Sequence, residues 1–316
     1  MNIMVTGGAG CIGSELVGRL LKEESNVVVY DNLSSGKLEH ISPFMKNKKF
    51  KFIEADVLDK NTLLKSMKGI DIVFHLAANP DIKFSAGDAT DKDMKQNTIA
   101  TYNVLEAMRL NDIKKIVFSS TSAVYGEAEK IPTPENYAPL IPISLYGASK
   151  LACEALISAF CHMFGIQAWI LRFANIVGGK SRKTGTTVIS DFILKLKKNP
   201  KALEILGNGK QSKPYLLNEE CVEAILFAVK NASKQVNLFN LGPGDSVSVN
   251  EIAEIVVKEL GLKNVKFVYT GGVRGWKGDV PRGLLEVSKI NKLGWKAKKS
   301  SKEAVKIAAT ALISHH

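Results

Sequence analysis

Three glycines near the start set the first constraint on the fold. The run Thr6-Gly7-Gly8-Ala9-Gly10-Cys11-Ile12-Gly13 follows an apolar stretch, Asn2-Ile3-Met4-Val5, and leads into a helical pattern over 14–22. Glycine at 7, 10 and 13 allows a tight turn, a close backbone approach and close helix–strand packing. The helix start then aims its unpaired N–H groups at an anion such as a pyrophosphate. A second apolar stretch at 26–30 is closed by Asp31, which follows Gly13 by 18 residues. An acid about 20 residues past such a loop hydrogen-bonds ribose hydroxyls. A carboxylate there also repels a 2′-phosphate, so the spacing predicts NAD rather than NADP.

From there the pattern alternates. Strand-like segments at 51–54, 71–76, 115–118 and 167–172 are separated by helical periodicity at 61–67, 93–110 and 146–163. Such alternation implies a parallel sheet whose ligands sit at the carboxyl ends of the strands. The expected fold class is α/β, a Rossmann-type doubly wound parallel sheet with a smaller mixed α/β substrate domain. After 172 the alternation loosens. A polar loop at 181–187 leads to a helix at 187–197, strands at 204–206 and 213–217 around Gly207-Asn208-Gly209, and a helix at 218–229. Residues 236–240 read as a strand placed to rejoin the sheet, and segments at 249–259, 265–269, 288–293 and 301–313 complete the smaller region. The implied division is a cofactor-binding domain of 1–172 plus 216–242 and a substrate domain of 173–215 plus 243–314.

Several strand ends carry chemistry. Small residues in Ala77-Ala78-Asn79-Pro80 either let a flat ligand lie on the backbone or serve tight packing under a loop. The hydroxyl run Ser119-Ser120-Thr121-Ser122 either holds a reacting oxygen or satisfies turn backbone. Asn97, polar within an apolar helical face, is either a core amide bonded to a loop or a site residue. In Tyr146-Gly147-Ala148-Ser149-Lys150, residues four apart on a helix point the same way. A phenol titrates near pH ~10, and a nearby ammonium favours its charged form. The pair therefore makes a proton-transfer group; alone, it also fits a chance pairing on a helix face.

Composition excludes few classes. The 316 residues are 45% hydrophobic and 23% charged, ordinary for globular chains. No apolar run reaches the length of a membrane span, and with an apolar strand at the N-terminus no signal peptide is expected. A cytoplasmic protein is expected. Cys11, Cys153, Cys161 and Cys221 show no metal or disulfide spacing, and Cys153 and Cys161 fit a reduced core. The net charge of +12 comes with lysine runs such as Lys46-Asn47-Lys48-Lys49, which read as solvated faces and also fit attraction of a phosphorylated substrate. No nucleic-acid-binding module is present.

The segments TGGAGCIGS, DNLSSGK, HLAANP, FSSTSAVYG, YGASK, LRFANIVG and GWKGDVP occur in one order along nearly the whole chain. In these the chain resembles the extended short-chain dehydrogenase/reductases. Within them it resembles the NDP-sugar epimerases, most nearly UDP-glucose/UDP-galactose 4-epimerases. The resemblance implies an NAD pyrophosphate at Gly7, Gly10, Cys11, Ile12 and Gly13. It implies the adenosine ribose near Asp31, Asn32, Ser34, Ser35 and Gly36, and adenine beside Asp56 and Val57. Leu76, Ala77, Ala78, Asn97 and Ser119 would line the rest of the cofactor. Thr121 would be the catalytic hydroxyl and Tyr146 the acid/base, while Lys150 would hold the nicotinamide ribose and lower the tyrosine's pKa. Asn175, Lys213 and Arg274 would meet the diphosphate of a UDP-sugar. The implied reaction inverts C4 of the hexose through a 4-keto intermediate, with NAD regenerated and retained. The resemblance also implies a homodimer formed through the helices at 93–110 and 146–163.

Departures from the family pattern qualify the substrate. Lys213-Pro214-Tyr215 stands where the family has a basic residue, an Asp and an aromatic, so the acid is missing. Asn218-Glu219-Glu220 also differs, and Cys11 replaces an aromatic. Ser122 and Ala123 occupy places where 4,6-dehydratases carry an Asp-Glu pair, which argues against dehydration. Gly283 stands where relatives place a bulky residue beside the sugar, so N-acetylhexosamines are expected to fit. UDP-N-acetylglucosamine, UDP-glucuronate or another NDP-sugar are the alternative substrates. A non-catalytic NAD-binding or nucleic-acid-binding member is the alternative class, distinguished by salt-sensitive binding without sugar turnover.

Overall fold

The computed structural model describes residues 1–81, 89–178 and 187–314. The apolar N-terminal run forms β1 (Asn2–Thr6), followed by α1 (Cys11–Lys22), β2 (Asn26–Asp31), a single turn α2 (Leu38–Ile41), β3 (Phe50–Glu54), α3 (Lys60–Ser66) and β4 (Ile72–His75). A π-helical stretch, Met94–Ile99, runs into α4 (Ala100–Leu110), then β5 (Lys115–Thr121), a short 3-10 turn Ser122–Tyr125, α5 (Leu145–Phe164) and β6 (Gln167–Phe173). Beyond it come β7 (Asn175–Val177), α6 (Val188–Lys198), β8 (Ala202–Ile205), β9 (Ser212–Lys213), β10 (Tyr215–Leu217), α7 (Asn218–Asn231) and β11 (Val236–Leu241). The chain closes with β12 (Val247–Ser248), α8 (Val249–Glu259), β13 (Lys266–Tyr269), α9 (Ser288–Leu293) and α10 (Ser301–Ser314).

Seven strands form one sheet in the order β11-β6-β5-β4-β1-β2-β3, and every pairing in it is parallel. The chain moves outward from β1 through β2 and β3, then crosses back to β4 on the other side of β1. This reversal opens a crevice at the carboxyl ends of β1 and β4, where doubly wound sheets bind ligands. Side chains alternate between the faces of a strand. Val5 and Val29 accordingly pack under α1 and α7 with Leu16, Val17, Val222 and Ile225. Met4 and Tyr30 pack on the opposite face with Leu63, Val104, Met108 and Ile157 of α3, α4 and α5. A third core joins α6, α8 and α10 through Phe192, Ile193, Ile252, Val256, Val305 and Ala308.

Three expected elements differ in ways that matter to the site. The helix expected from 14 starts at Cys11, so the last residues of the glycine run are already helical. The helix expected over 93–110 begins as a π-helix, whose wider turn occurs often at functional sites. The strand expected over 213–217 is split at Pro214, which has no N–H to donate. Its halves pair apart, β9 with β12 and β10 with β7. The polar loop expected at 181–187 lies, apart from Thr187, outside the described residues; Thr187 caps α6 with a reciprocal bond to Ser190.

Candidate active site

The glycine loop is built by close approach. Gly7 has φ +72°, and a Cβ there would lie 2.6 Å from the Ala77 nitrogen. Only glycine lets the end of β1 meet the end of β4 in this way. Gly10 then precedes α1 with no side-chain cap, and the first turn carries no acid. The helix start therefore keeps its N–H groups and partial positive charge available to an anion. Asp31 is buried at the end of β2. Its oxygens accept from the Ala9 nitrogen (2.9 Å) and the Leu33 nitrogen (2.9 Å). Burial pushes its carboxyl pKa up, and the two N–H bonds oppose the shift. Asn32 donates to Asp56 at 2.8 Å, Ser34 and Ser35 are exposed beside it, and Gly36 packs against Ala9. Val57 is buried and its carbonyl accepts from Asn103.

Across the crevice, Leu76, Ala77 and Ala78 are half-buried. Asn97 is the buried amide that holds this loop: it accepts from the Asn79 nitrogen and donates to Ser149, each at 2.8 Å. The side chain of Asn79 in turn donates to Asp93 at 2.8 Å. Asn97 thus joins the β4 loop to α5, and the π-helical turn is what carries it there. These bonds match the core amide bonded to a loop that the sequence left open beside a site residue.

The end of β5 is stitched to the start of α5. Thr121 accepts from the Ala123 nitrogen at 3.1 Å and so caps the turn Ser122–Tyr125. A Cβ at Gly147 would lie 2.7 Å from the Ala123 carbonyl oxygen, so glycine is required for α5 to pack this closely. Ser144 caps α5 by accepting from the Gly147 nitrogen at 3.0 Å. Thr121 and Tyr146, both half-buried, are therefore carried on elements locked together at their bases. Lys150 lies one turn below Tyr146, is buried, and donates from Nζ to the Ser119 carbonyl at 2.8 Å. Its ammonium sits 4.7 Å from the centre of the Phe118 ring. Burial pulls its pKa down to about 8, opposed by Cys153, Glu154 and Asp93, so it stays charged at neutral pH. Neighbouring His75 is pulled down to about 3 by burial and by Lys150, and is neutral.

The hydroxyl run divides by role. Ser119 donates to the His75 carbonyl at 3.3 Å, and Ser120 donates to buried Glu154. Glu154 is also paired with Arg172, Nη2 to Oε2 at 2.6 Å and Nε to Oε1 at 3.0 Å. Arg172 stacks 4.7 Å from the Tyr125 ring. This buried network, not anticipated from the sequence, fixes the end of β5 from beneath.

On the other side, Asn175 starts β7, its nitrogen donating to the Pro214 carbonyl at 3.1 Å. The acid absent beside Lys213 is supplied from elsewhere. Buried Asp279 accepts from Lys213 Nζ at 2.5 Å and from the Gly275 nitrogen at 3.0 Å. Arg274 donates to the Asp279 carbonyl at 2.6 Å and is paired with Glu127. The sequence signal was there in GWKGDVP, but its partner lay 66 residues away. Asn218, another departure, is buried and donates to the Cys11 carbonyl at 3.1 Å, tying α7 to the glycine loop. Cys153, Cys161 and Cys221 are buried free thiols, while Cys11 is half-buried. Among the described residues no cluster of His, Cys, Asp or Glu is placed to hold a metal, and no helix is long and apolar enough to cross a membrane.

Comparison with known proteins fits this geometry. The NAD dependent epimerase/dehydratase family matches residues 3–242. The chain belongs to this family. A solved UDP-galactose 4-epimerase is 39% identical, with a TM-score of 0.87 over 100% of this chain and 99% of its own. The UDP-glucose 4-epimerase of Thermotoga maritima, solved with UDP-glucose, is 32% identical, with a TM-score of 0.88 over all of both chains. The UDP-N-acetylglucosamine 4-epimerase of Methanobrevibacter ruminantium, solved with UDP-N-acetylmuramic acid, is 29% identical, with a TM-score of 0.84 over 100% and 99%.

As a member, the chain is an NAD-dependent epimerase, an isomerase. Its own residues fit the cofactor. The uncapped start of α1, free of acids, suits a pyrophosphate, and a side chain at Gly7 would fill the cradle beside it. The buried carboxylate of Asp31 at the end of β2 suits ribose hydroxyls.

Proposed function

We propose that this epimerase is a UDP-glucose/UDP-galactose 4-epimerase. The observation that carries the reading is the assembly at the β5–α5 junction: Lys150 buried and charged beneath Tyr146, with Thr121 locked alongside through Gly147. Gly7, Gly10, Cys11, Ile12, Gly13, Asp31, Asn32 and Ser34–Gly36 would hold the cofactor's adenosine and pyrophosphate; Asp56 and Val57 would border the adenine. Leu76–Ala78, Ser119 and Lys150 would hold its nicotinamide half, which Asn97 supports from behind. Bound NAD supplies a hydride acceptor that can return the hydride to the same carbon.

Tyr146 takes the proton of the sugar 4-hydroxyl and later gives it back. The held ammonium of Lys150 favours the charged phenolate this requires. Thr121 already accepts from the Ala123 nitrogen, which leaves its own O–H to donate to the 4-oxygen as negative charge gathers there. Asn175 and Arg274 meet the diphosphate. Lys213 acts by fixing Asp279 and the loop beneath Arg274. Ser122 and Ala123 place no acid beside Thr121, so water is not eliminated.

The substrate is expected to bind between a cofactor domain of 1–172 plus 216–242 and a substrate domain of 173–215 plus 243–314, in a cytoplasmic homodimer. Exposed apolar side chains on the helices around 93–110 and 145–164, Tyr102, Leu110, Leu145 and Met163 among them, support the dimer face. A second reading has its own observation: a Cβ at Gly283 would meet no atom within 4 Å. That open space supports acceptance of N-acetylhexosamine nucleotides as well. Purified protein should equilibrate UDP-galactose with UDP-glucose without added NAD. Failure there, with turnover of UDP-glucuronate or UDP-N-acetylglucosamine, would move the substrate. Turnover of UDP-galactose alone would end the reading from Gly283.

A further inference from the structure

The two cations of this region, Lys213 and Arg274, are held very differently. Lys213 is paired with a buried acid, Asp279, and that acid also anchors the Gly275 nitrogen. Arg274 instead reaches from its loop to Glu127, just past the turn that follows Thr121. The fork is two-pointed: Nη1 lies 2.8 Å from Oε1, and Nη2 donates to Oε2 at 2.9 Å. Nη1 also donates to the Asp279 carbonyl at 2.6 Å. The same loop packs at Gly278 against Ile143 and Ser144, the residues just before α5. The Arg274–Glu127 pair therefore straps the loop to the segment that carries Thr121.

A diphosphate and a carboxylate compete for the same N–H edge of a guanidinium. Two anions side by side on it also repel. Both members of this pair are more than a third exposed, 37% and 45%, so it is screened and easily exchanged. The Lys213–Asp279 pair, with its acid only 7% exposed, is not. We propose that Glu127 is a resident counter-ion that the substrate diphosphate must displace from Arg274, so that Glu127 weakens nucleotide binding and sets the release of product. The proposal rests on Arg274 being a diphosphate ligand.

The experiment is calorimetric titration of the NAD-loaded protein with UDP, with dTDP and GDP in parallel. Glu127→Gln should bind UDP about fivefold more tightly than wild type. Glu129→Gln, the same charge change on an exposed neighbour, should not. Arg274→Gln should bind more weakly, and the double variant should match it, because the effect of Glu127 acts through Arg274. In turnover, Glu127→Gln should lower KM without raising kcat. Unchanged or weaker UDP binding by Glu127→Gln, with Arg274→Gln still impaired, overturns the counter-ion role alone. Wild-type UDP binding by Arg274→Gln overturns the assignment of Arg274 and the proposal with it. A Glu127→Gln gain that persists in the double variant overturns the exchange.

Discussion

The buried Lys150 ammonium donates to the Ser119 carbonyl at 2.8 Å, one helical turn below Tyr146. A charge held there is costly, and its pKa is pulled down to about 8 by burial. The unfolded chain keeps its lysine proton up to about 10.4, so between these values the unfolded state binds more protons and stability rises with pH. The cost at neutral pH is on the order of 3 kcal/mol. Lys150→Met should therefore abolish epimerisation yet unfold at equal or higher urea concentration at pH 7. Its advantage over wild type should shrink from pH 8 to 10. A variant less stable at pH 7, with a gap that does not change with pH, would refute this.

Gly147 lets α5 press on the Ala123 carbonyl. Gly147→Ala adds a better helix former but also a Cβ 2.7 Å from that oxygen. The Tyr146 end of the helix must shift away from Thr121. A displacement of an ångström is expected to lower kcat by about 100-fold with helix content preserved by circular dichroism. Wild-type kcat would show that the close packing does not position Tyr146.

The Glu154–Arg172 pair is buried at both ends. Removing one member strands the other charge, so Arg172→Met should cost about 3–5 kcal/mol in urea unfolding. Arg172→Met with Glu154→Leu should recover most of that stability. Additive losses in the double variant would mean the two charges are not coupled as drawn.

Asp31 holds the Ala9 nitrogen and closes β2 beside the glycine loop. Asp31→Ser removes the acid proposed to favour NAD and opens room for a 2′-phosphate. NAD retained through gel filtration should fall well below that of wild type, and added NADP should gain relative to NAD in restoring activity. Undiminished NAD content would contradict the role of Asp31.

How much of this was legible in the sequence depended on range. The glycine loop and Asp31 were readable because turn chemistry and a fixed spacing are local properties. So was the helix carrying Tyr146 and Lys150, expected over 146–163 and observed over Leu145–Phe164. The π-helical start of the 94–110 segment was not, because the wider turn is held by bonds from Asn97 to Asn79 and Ser149, and Ser149 is 52 residues away. The split at Pro214 followed from a visible proline, yet the separate partners of β9 and β10 are tertiary facts. Asp279 and Glu127 were in plain sight as residues, but nothing local said which cation each would meet.

In the proposed mechanism Tyr146 moves the proton of the 4-hydroxyl in an NAD-loaded site, and Tyr146→Phe isolates that step. The phenyl ring keeps the shape and removes only the hydroxyl. UDP-galactose turnover without added NAD should fall by about 100-fold or more, with bound NAD and melting temperature unchanged. Turnover within a few-fold of wild type, with NAD still bound, would contradict it.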